Sequence, residues 1–349
     1  MTWLTWRQFR AQAITGAAVL AVLAIALGIT GPHLAHLYAS SGLATCQAHG
    51  NCGPLVTAFT AQVKASTIDE LLFILCIGLL LAAPALIGVF WGAPLVTREI
   101  EAGTFRLTWN QSVTRARWLA VKLGLIGLAS MVTVALLSLM VTWWASPLDR
   151  ASALPAGRDG TPTFNRFAPL LFASRGIAPI AYALFAFVLG VTVGVLIRRT
   201  VPAMAVTLAI FAAVQIAMPL WVRPYLAPPA HASSAFNPAT LDSLTSGGNR
   251  GELKVTNAVH LPGAWVLSNQ TVTPAGHAVI RPAPAACEKS TVPFSECTAA
   301  LGRLGLRQVV TYQPASRYWV FQGYETAIFV VLAVALGGCC AWQIRRRAW

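Results

Sequence analysis

Apolar residues recur in six long runs separated by polar segments: Ala13–Thr30, Leu71–Gly92, Leu123–Trp144, Ile177–Ile197, Val201–Val222 and Tyr324–Trp342. A helix needs about 20 mostly apolar residues to cross the roughly 30 Å hydrocarbon core of a bilayer. Each run meets or approaches that length. Asp, Glu, Lys and Arg are missing from their interiors, apart from Glu325 at the mouth of the last. The pattern predicts an all-α membrane protein with six transmembrane helices. Ahead of the first run, residues 2–12 set Trp3, Leu4, Trp6 and Phe9 against Arg7 and Arg10, the pattern of an amphipathic helix lying in the membrane interface. Arg7, Arg10 and the first run could also be read as a secretion signal; the run is expected to stay as a span.

The polar segments divide the chain further. Residues 1–222 hold helices one to five, residues 223–323 form the longest polar stretch, and residues 324–349 carry the sixth helix and a basic tail. The stretch 223–323 is rich in proline, with short β-like pieces at Ala278–Arg281 and Gln308–Tyr312 and a candidate helix from Ser295 to Gly305. It reads as a small outer domain between helices five and six. Gly190 and Gly194 form GxxxG in the fourth run, Ala24/Gly28 and Ala333/Gly337 are further small pairs, and Pro84 with Gly88 predicts a bend in the second. Small residues let helix backbones approach closely in lipid.

Charge gives the spans a direction. About half of the 25 Lys and Arg lie in the short segments that share a side with the N-terminus: Arg7, Arg10, Arg98, Arg106, Arg115, Arg117, Lys122, Arg198, Arg199 and Arg345 to Arg347. Their density there is roughly threefold that of the opposite side, the sign expected if both termini are cytoplasmic in a plasma-membrane protein. Arg198 and Arg199 form a tight inner turn, after which Thr200 is expected to cap the fifth helix. Cys46, Cys52, Cys287 and Cys297 then fall outside, on the oxidising side. They are expected to pair as Cys46–Cys52 and Cys287–Cys297, with four free thiols in flexible loops as the alternative.

Composition excludes other classes. Hydrophobic residues make up 56% of the 349 and charged residues only 10%, against about 25% charged in a soluble domain. The net charge of +14 sits at the ends of apolar runs rather than along an aromatic-studded stripe, so nucleic acid is not an expected partner. A phosphate loop needs GxxxxGK[ST], and none of the four lysines, Lys64, Lys122, Lys254 and Lys289, follows a glycine. The stretch Leu244-Thr-Ser-Gly-Gly-Asn superficially matches an ATPase signature, but it falls on the outer side and reads as a glycine turn. His33 and His36 near Cys46 and Cys52 could in principle hold Zn2+, although a disulfide there would remove two donors. No metal is expected, and no acidic pair or Ser/His/Asp set lies within a span. A secondary transporter would place ionisable residues near the midplane. That class is one alternative function, and a membrane-anchored sensor using the outer domain for binding is the other.

The longest inner loop mixes acid, base and aromatic residues, and Glu99 and Glu101 are the only acids on that side. Its Arg-Glu-Ile-Glu-Ala-Gly-Thr segment (98–104), followed by Ser-Val-Thr-Arg-Ala-Arg-Trp-Leu-Ala-Val-Lys (112–122), resembles the inner loop of ABC transporter permeases of the type-2 exporter family, particularly actinobacterial members. The stretch Tyr-Gln-Pro-Ala-Ser-Arg-Tyr-Trp-Val-Phe-Gln (312–322) before the last run is also similar to that subgroup, whose smaller members have a shorter last outer loop. The resemblance implies the membrane-spanning subunit of an ATP-driven exporter, paired with a second permease subunit and served by a separate cytoplasmic ATPase. ATP-Mg would be bound by that partner, with no cofactor in this chain. It also implies that residues 97–117 form the coupling loop. Glu99, Glu101, Gly103 and Thr104 match the family's motif, and Arg98, Phe105 and Trp109 are candidates beside them. The two acids are expected to meet basic groups on the ATPase.

Overall fold

The computed structural model describes residues 2–46, 52–102, 115–154, 165–246, 252–258, 261–288 and 293–346. Among them are six helices long and apolar enough to cross a membrane: Phe9–Ser40, Thr67–Glu101, Ala120–Trp144, Ala178–Ile197, Thr200–Tyr225 and Ala315–Ile344. These are the six apolar runs, five of them extended at one or both ends and the fourth one residue shorter. The first helix runs unbroken from Thr2 to Ser40. The amphipathic segment 2–12 is therefore its opening turns, without a break before the span.

The fourth span is the centre of the bundle. Most of its side chains are buried, from Ala178 to Val195, and it packs against the second, third, fifth and sixth spans. The second span meets it through glycines. A Cβ on Gly88 would lie 2.7 Å from the Ala186 carbonyl oxygen, and one on Gly92 would lie 2.5 Å from that of Phe187. A Cβ on Gly190 would run into the Gly88 oxygen, and one on Gly194 would lie 2.8 Å from the Ala93 oxygen. Backbone therefore lies on backbone, which only glycine permits. The second span also winds as a π-helix over Gly88–Gly92, as does the fifth over Met218–Val222. Such wide turns mark helix distortions and often sit at functional positions. Where a bend is expected, Pro84 lies within regular helix and the π turn begins at Gly88.

Connections on the two sides of the bundle differ in kind. Arg198 takes a left-handed conformation (φ 63°) to end the fourth span, and the fifth begins at Thr200. On the opposite side, the connection between the first and second spans is a helical cap. The Cys46–Cys52 disulfide leads into a helix at Gly53–Ala65, whose buried Phe59 meets Tyr38 edge-on at 5.8 Å. Hydrophobic positions of that helix (Val56, Phe59, Val63) recur at helical spacing, a signal the long-run reading passes over.

The outer domain is tied by the Cys287–Cys297 disulfide. It contains β1 (Ala230–Ala235), β2 (Leu241–Ser246), β3 (Leu253–Asn257), β4 (Trp265–Val272) and β5 (Arg307–Gln313). These form an antiparallel sheet ordered β1-β5-β4 and a separate β2–β3 hairpin. Of the Thr-Ser-Gly-Gly-Asn stretch, Thr245 and Ser246 end β2, and Gly247 to Asn249, where a glycine turn is expected, lie outside the described residues. The expected piece at 308–312 is part of β5, while Ile280 makes only an isolated bridge to Leu253. The expected helix spans Phe294–Gly302 and starts from Pro293 rather than from a Ser295 cap. Leu253, Val255, Ile280, Cys297, Leu301 and Leu306 form the domain's own core.

Candidate functional site

The loop expected to couple to an ATPase follows the second span. Beyond the π turn this helix continues as Ala93–Glu101, burying Ala93, Pro94, Val96 and Thr97. Thr97 and Thr200 share a hydroxyl hydrogen bond of 2.8 Å, which fixes the second span to the first turn of the fifth.

Glu99 and Glu101 hold the loop's first end, and both find partners within the chain. The Glu101 carboxylate accepts the Thr200 backbone N–H at 2.9 Å and its hydroxyl at 2.6 Å. It occupies the start of the fifth helix, where free N–H groups and the positive end of the helix dipole favour an anion. The capping expected of Thr200 is thus supplied by Glu101. Glu99 is bound by Lys122, a buried side chain on the third span. The two acids, one residue apart, therefore anchor the loop's start to two different helices. Arg98, just before them in the chain, is exposed. Gly103, Thr104, Phe105 and Trp109 lie outside the described residues.

A second polar cluster lies at the outer ends of the fourth, fifth and sixth spans. Glu325, two turns into the sixth span, is fully buried. Arg223, at the end of the fifth, donates to it from Nε at 2.8 Å and from Nη2 at 2.9 Å, the bidentate geometry in which Arg–carboxylate pairs are strongest. Tyr182 on the fourth span donates its hydroxyl to the same carboxylate. The guanidinium lies 4.0 Å from the Phe172 ring centre. One ion pair thus links three spans.

Beside it, buried Gln322 accepts the N–H groups of Ile177 at 3.2 Å and Ala178 at 2.9 Å, and donates to the carbonyls of Phe172 at 3.1 Å and Arg175 at 3.0 Å. It caps the fourth span from the sixth. Arg175 pairs with Asp149. Burial lifts the Asp149 carboxyl above its ordinary value, and the Arg175 guanidinium pulls it back. Phe167, Phe172, Tyr318 and Phe321 cluster next to these groups with Trp265 of β4 against them, so the outer domain continues directly into the joint. Sequence reading missed this site. The available signal was Glu325 itself, since an acid inside a span calls for a partner.

The zinc set considered for the first outer connection is dissolved. Cys46 and Cys52 are bonded to each other, and His33 faces Asp69 at 3.6 Å.

Comparison with curated proteins and with solved structures returns no match. A family model described as ABC-2 membrane transporter related matches residues 17–223, which take in the first five spans and the inner loop between the second and third. With more than half of the chain matched and six membrane-spanning helices in place, this multi-pass membrane protein belongs to the ABC-2 membrane transporter related family.

Proposed function

We propose that the chain is the permease subunit of an ATP-binding-cassette exporter in the plasma membrane, joined by a second permease subunit and driven by a separate cytoplasmic ATPase. The family match over the first five spans carries this reading. The translocation path would form among the spans, and ATP-Mg would act on the partner. Both termini and the loop after Glu101 would face the cytoplasm, in keeping with the Lys and Arg placement.

The inner site suggests how coupling would run. A displacement of residues 97–117 by the ATPase would pull through Glu101 on the fifth span and through Glu99–Lys122 on the third. The acids would then act chiefly as internal linkages, with Gly103, Thr104, Phe105 and Trp109 meeting the partner. Glu101→Lys and Gly103→Pro are expected to insert normally yet uncouple ATP hydrolysis from transport, with Gly103→Pro also losing ATPase retention. The test is purification of the tagged chain from mild detergent. A protein carrying a phosphate loop is expected to co-purify and hydrolyse ATP. A chain that purifies alone when that ATPase is co-expressed overturns the reading, and unimpaired transport in both variants overturns the coupling assignment. Orientation is checked separately: Gln111→Cys should resist an impermeant thiol reagent in intact cells and react after permeabilisation.

A further inference from the structure

The first span lies mainly on the third, leaving a slot between itself and the second. Its apolar part, about 380 Å3, is walled by Gly16, Val19, Leu79, Ala83, Phe90 and Leu137 among others. It adjoins a smaller cavity of about 200 Å3 lined by Phe9, Trp91, Arg98 and Glu99. Gln12 and Trp91 line both, so the two cavities abut at these side chains and together form an amphipathic groove. Gln12 bridges it by donating to the Phe90 carbonyl at 3.0 Å, and Phe9 holds Trp91 edge-on at 4.8 Å.

The charges at the mouth select the occupant. Glu99 is bound by Lys122, whereas Arg98, which lines the smaller cavity, is exposed. The mouth therefore offers a cation, and the slot behind it is aliphatic and aromatic apart from Gln12, Thr15 and Thr133. An acyl chain leading to a phosphate matches that order, since guanidinium groups bind phosphate and basic pockets between spans hold anionic head groups. The apolar volume falls within the range of about 300–1,000 Å3 usual for small-ligand sites. A second copy of this chain would bring a like-charged end to Arg98, which disfavours it as the filling.

We propose that this groove binds an anionic phospholipid from the leaflet at the Arg98 end, one acyl chain in the slot and its phosphate at Arg98. Binding needs neither ATP nor a partner, so the proposal stands or falls apart from the transport reading. The test uses the full chain in phosphatidylcholine nanodiscs containing a trace of phosphatidylglycerol with a photoreactive group at the end of one acyl chain. Label is expected on residues 15–20 and 79–91, competed by unlabelled phosphatidylglycerol. Ala83→Trp, and independently Val19→Trp from the opposite wall, should reduce labelling at those peptides about tenfold, equivalent to about 1.4 kcal/mol, with the thermal unfolding midpoint unchanged. Arg98→Gln should keep chain insertion but lose the preference for phosphatidylglycerol over a phosphatidylcholine probe. Labelling spread evenly over the lipid-facing spans, or unchanged in a folded tryptophan variant, overturns the proposal. So does efficient disulfide formation between two Val19→Cys copies, which would assign the groove to a subunit interface.

Discussion

Arg223→Met is expected to destabilise the membrane domain by about 3–5 kcal/mol, because it leaves a buried carboxylate without its counter-charge. Glu325 is fully buried, and its two oxygens take both guanidinium bonds as well as the Tyr182 hydroxyl. With the guanidinium gone, the tyrosine is the one donor left to that carboxylate among the described residues. The double variant Arg223→Met/Glu325→Gln should recover most of the loss. It buries no charge, and glutamine can still accept from Tyr182. That recovery separates an ionic effect from lost packing, since methionine removes the contact with Phe172 in both variants. Equilibrium unfolding in detergent measures the cycle. Equal stability of the single and double variants would show that the pair is not what joins the three spans.

Gly190→Val should be still harder to accommodate. Overpacking a core typically costs about 1–3 kcal/mol and sometimes more, and the usual relief is a side chain that swings away. Here the atoms in the way are backbone: the Gly88 carbonyl and the Ala93 nitrogen. Moving them means separating the second span from the fourth. The second span carries the inner loop, so the displacement would also disturb the Thr97–Thr200 and Glu101–Thr200 bonds. Loss of folded protein in size-exclusion chromatography is the expected readout. Gly78→Ala is the matched control, on the same span as Gly88 but with nothing within 4 Å of the added methyl, and it should be tolerated. A stable, monodisperse Gly190→Val protein would contradict the backbone-on-backbone packing.

These two sites differ in how readable they were. GxxxG at Gly190 and Gly194 was visible because it is a local spacing, although its partner was not: Gly88 and Gly92 lie about a hundred residues earlier. The outer joint was visible only as one odd acid, Glu325. Its partners come from the end of the fifth span, from the fourth, and from the segment around Phe172. Each of these, read alone, is an ordinary interfacial residue. The acids of the inner loop show the same limit from another side. Their position marked them, but Lys122 and Thr200 could be matched to them only after the second, third and fifth spans were set side by side.

What the chain alone determined was whatever depends on transfer between water and lipid. Six apolar runs, their lengths, the basic bias of one side and the cysteine pairs all follow from local composition, because each segment meets the bilayer largely on its own terms. The sequence also marked the outer segment as a separate unit but missed most of its strands, since β pairing is decided by distant neighbours: β1 pairs with β5 across about seventy residues. Tertiary structure decided which polar groups pair within the bundle. In a low-dielectric interior a buried charge must find its counter-charge wherever the fold brings one, so Arg223 meets Glu325 and Lys122 meets Glu99 across long stretches of chain. It also decided where the first span stands off the second, leaving an amphipathic groove that no single segment encodes.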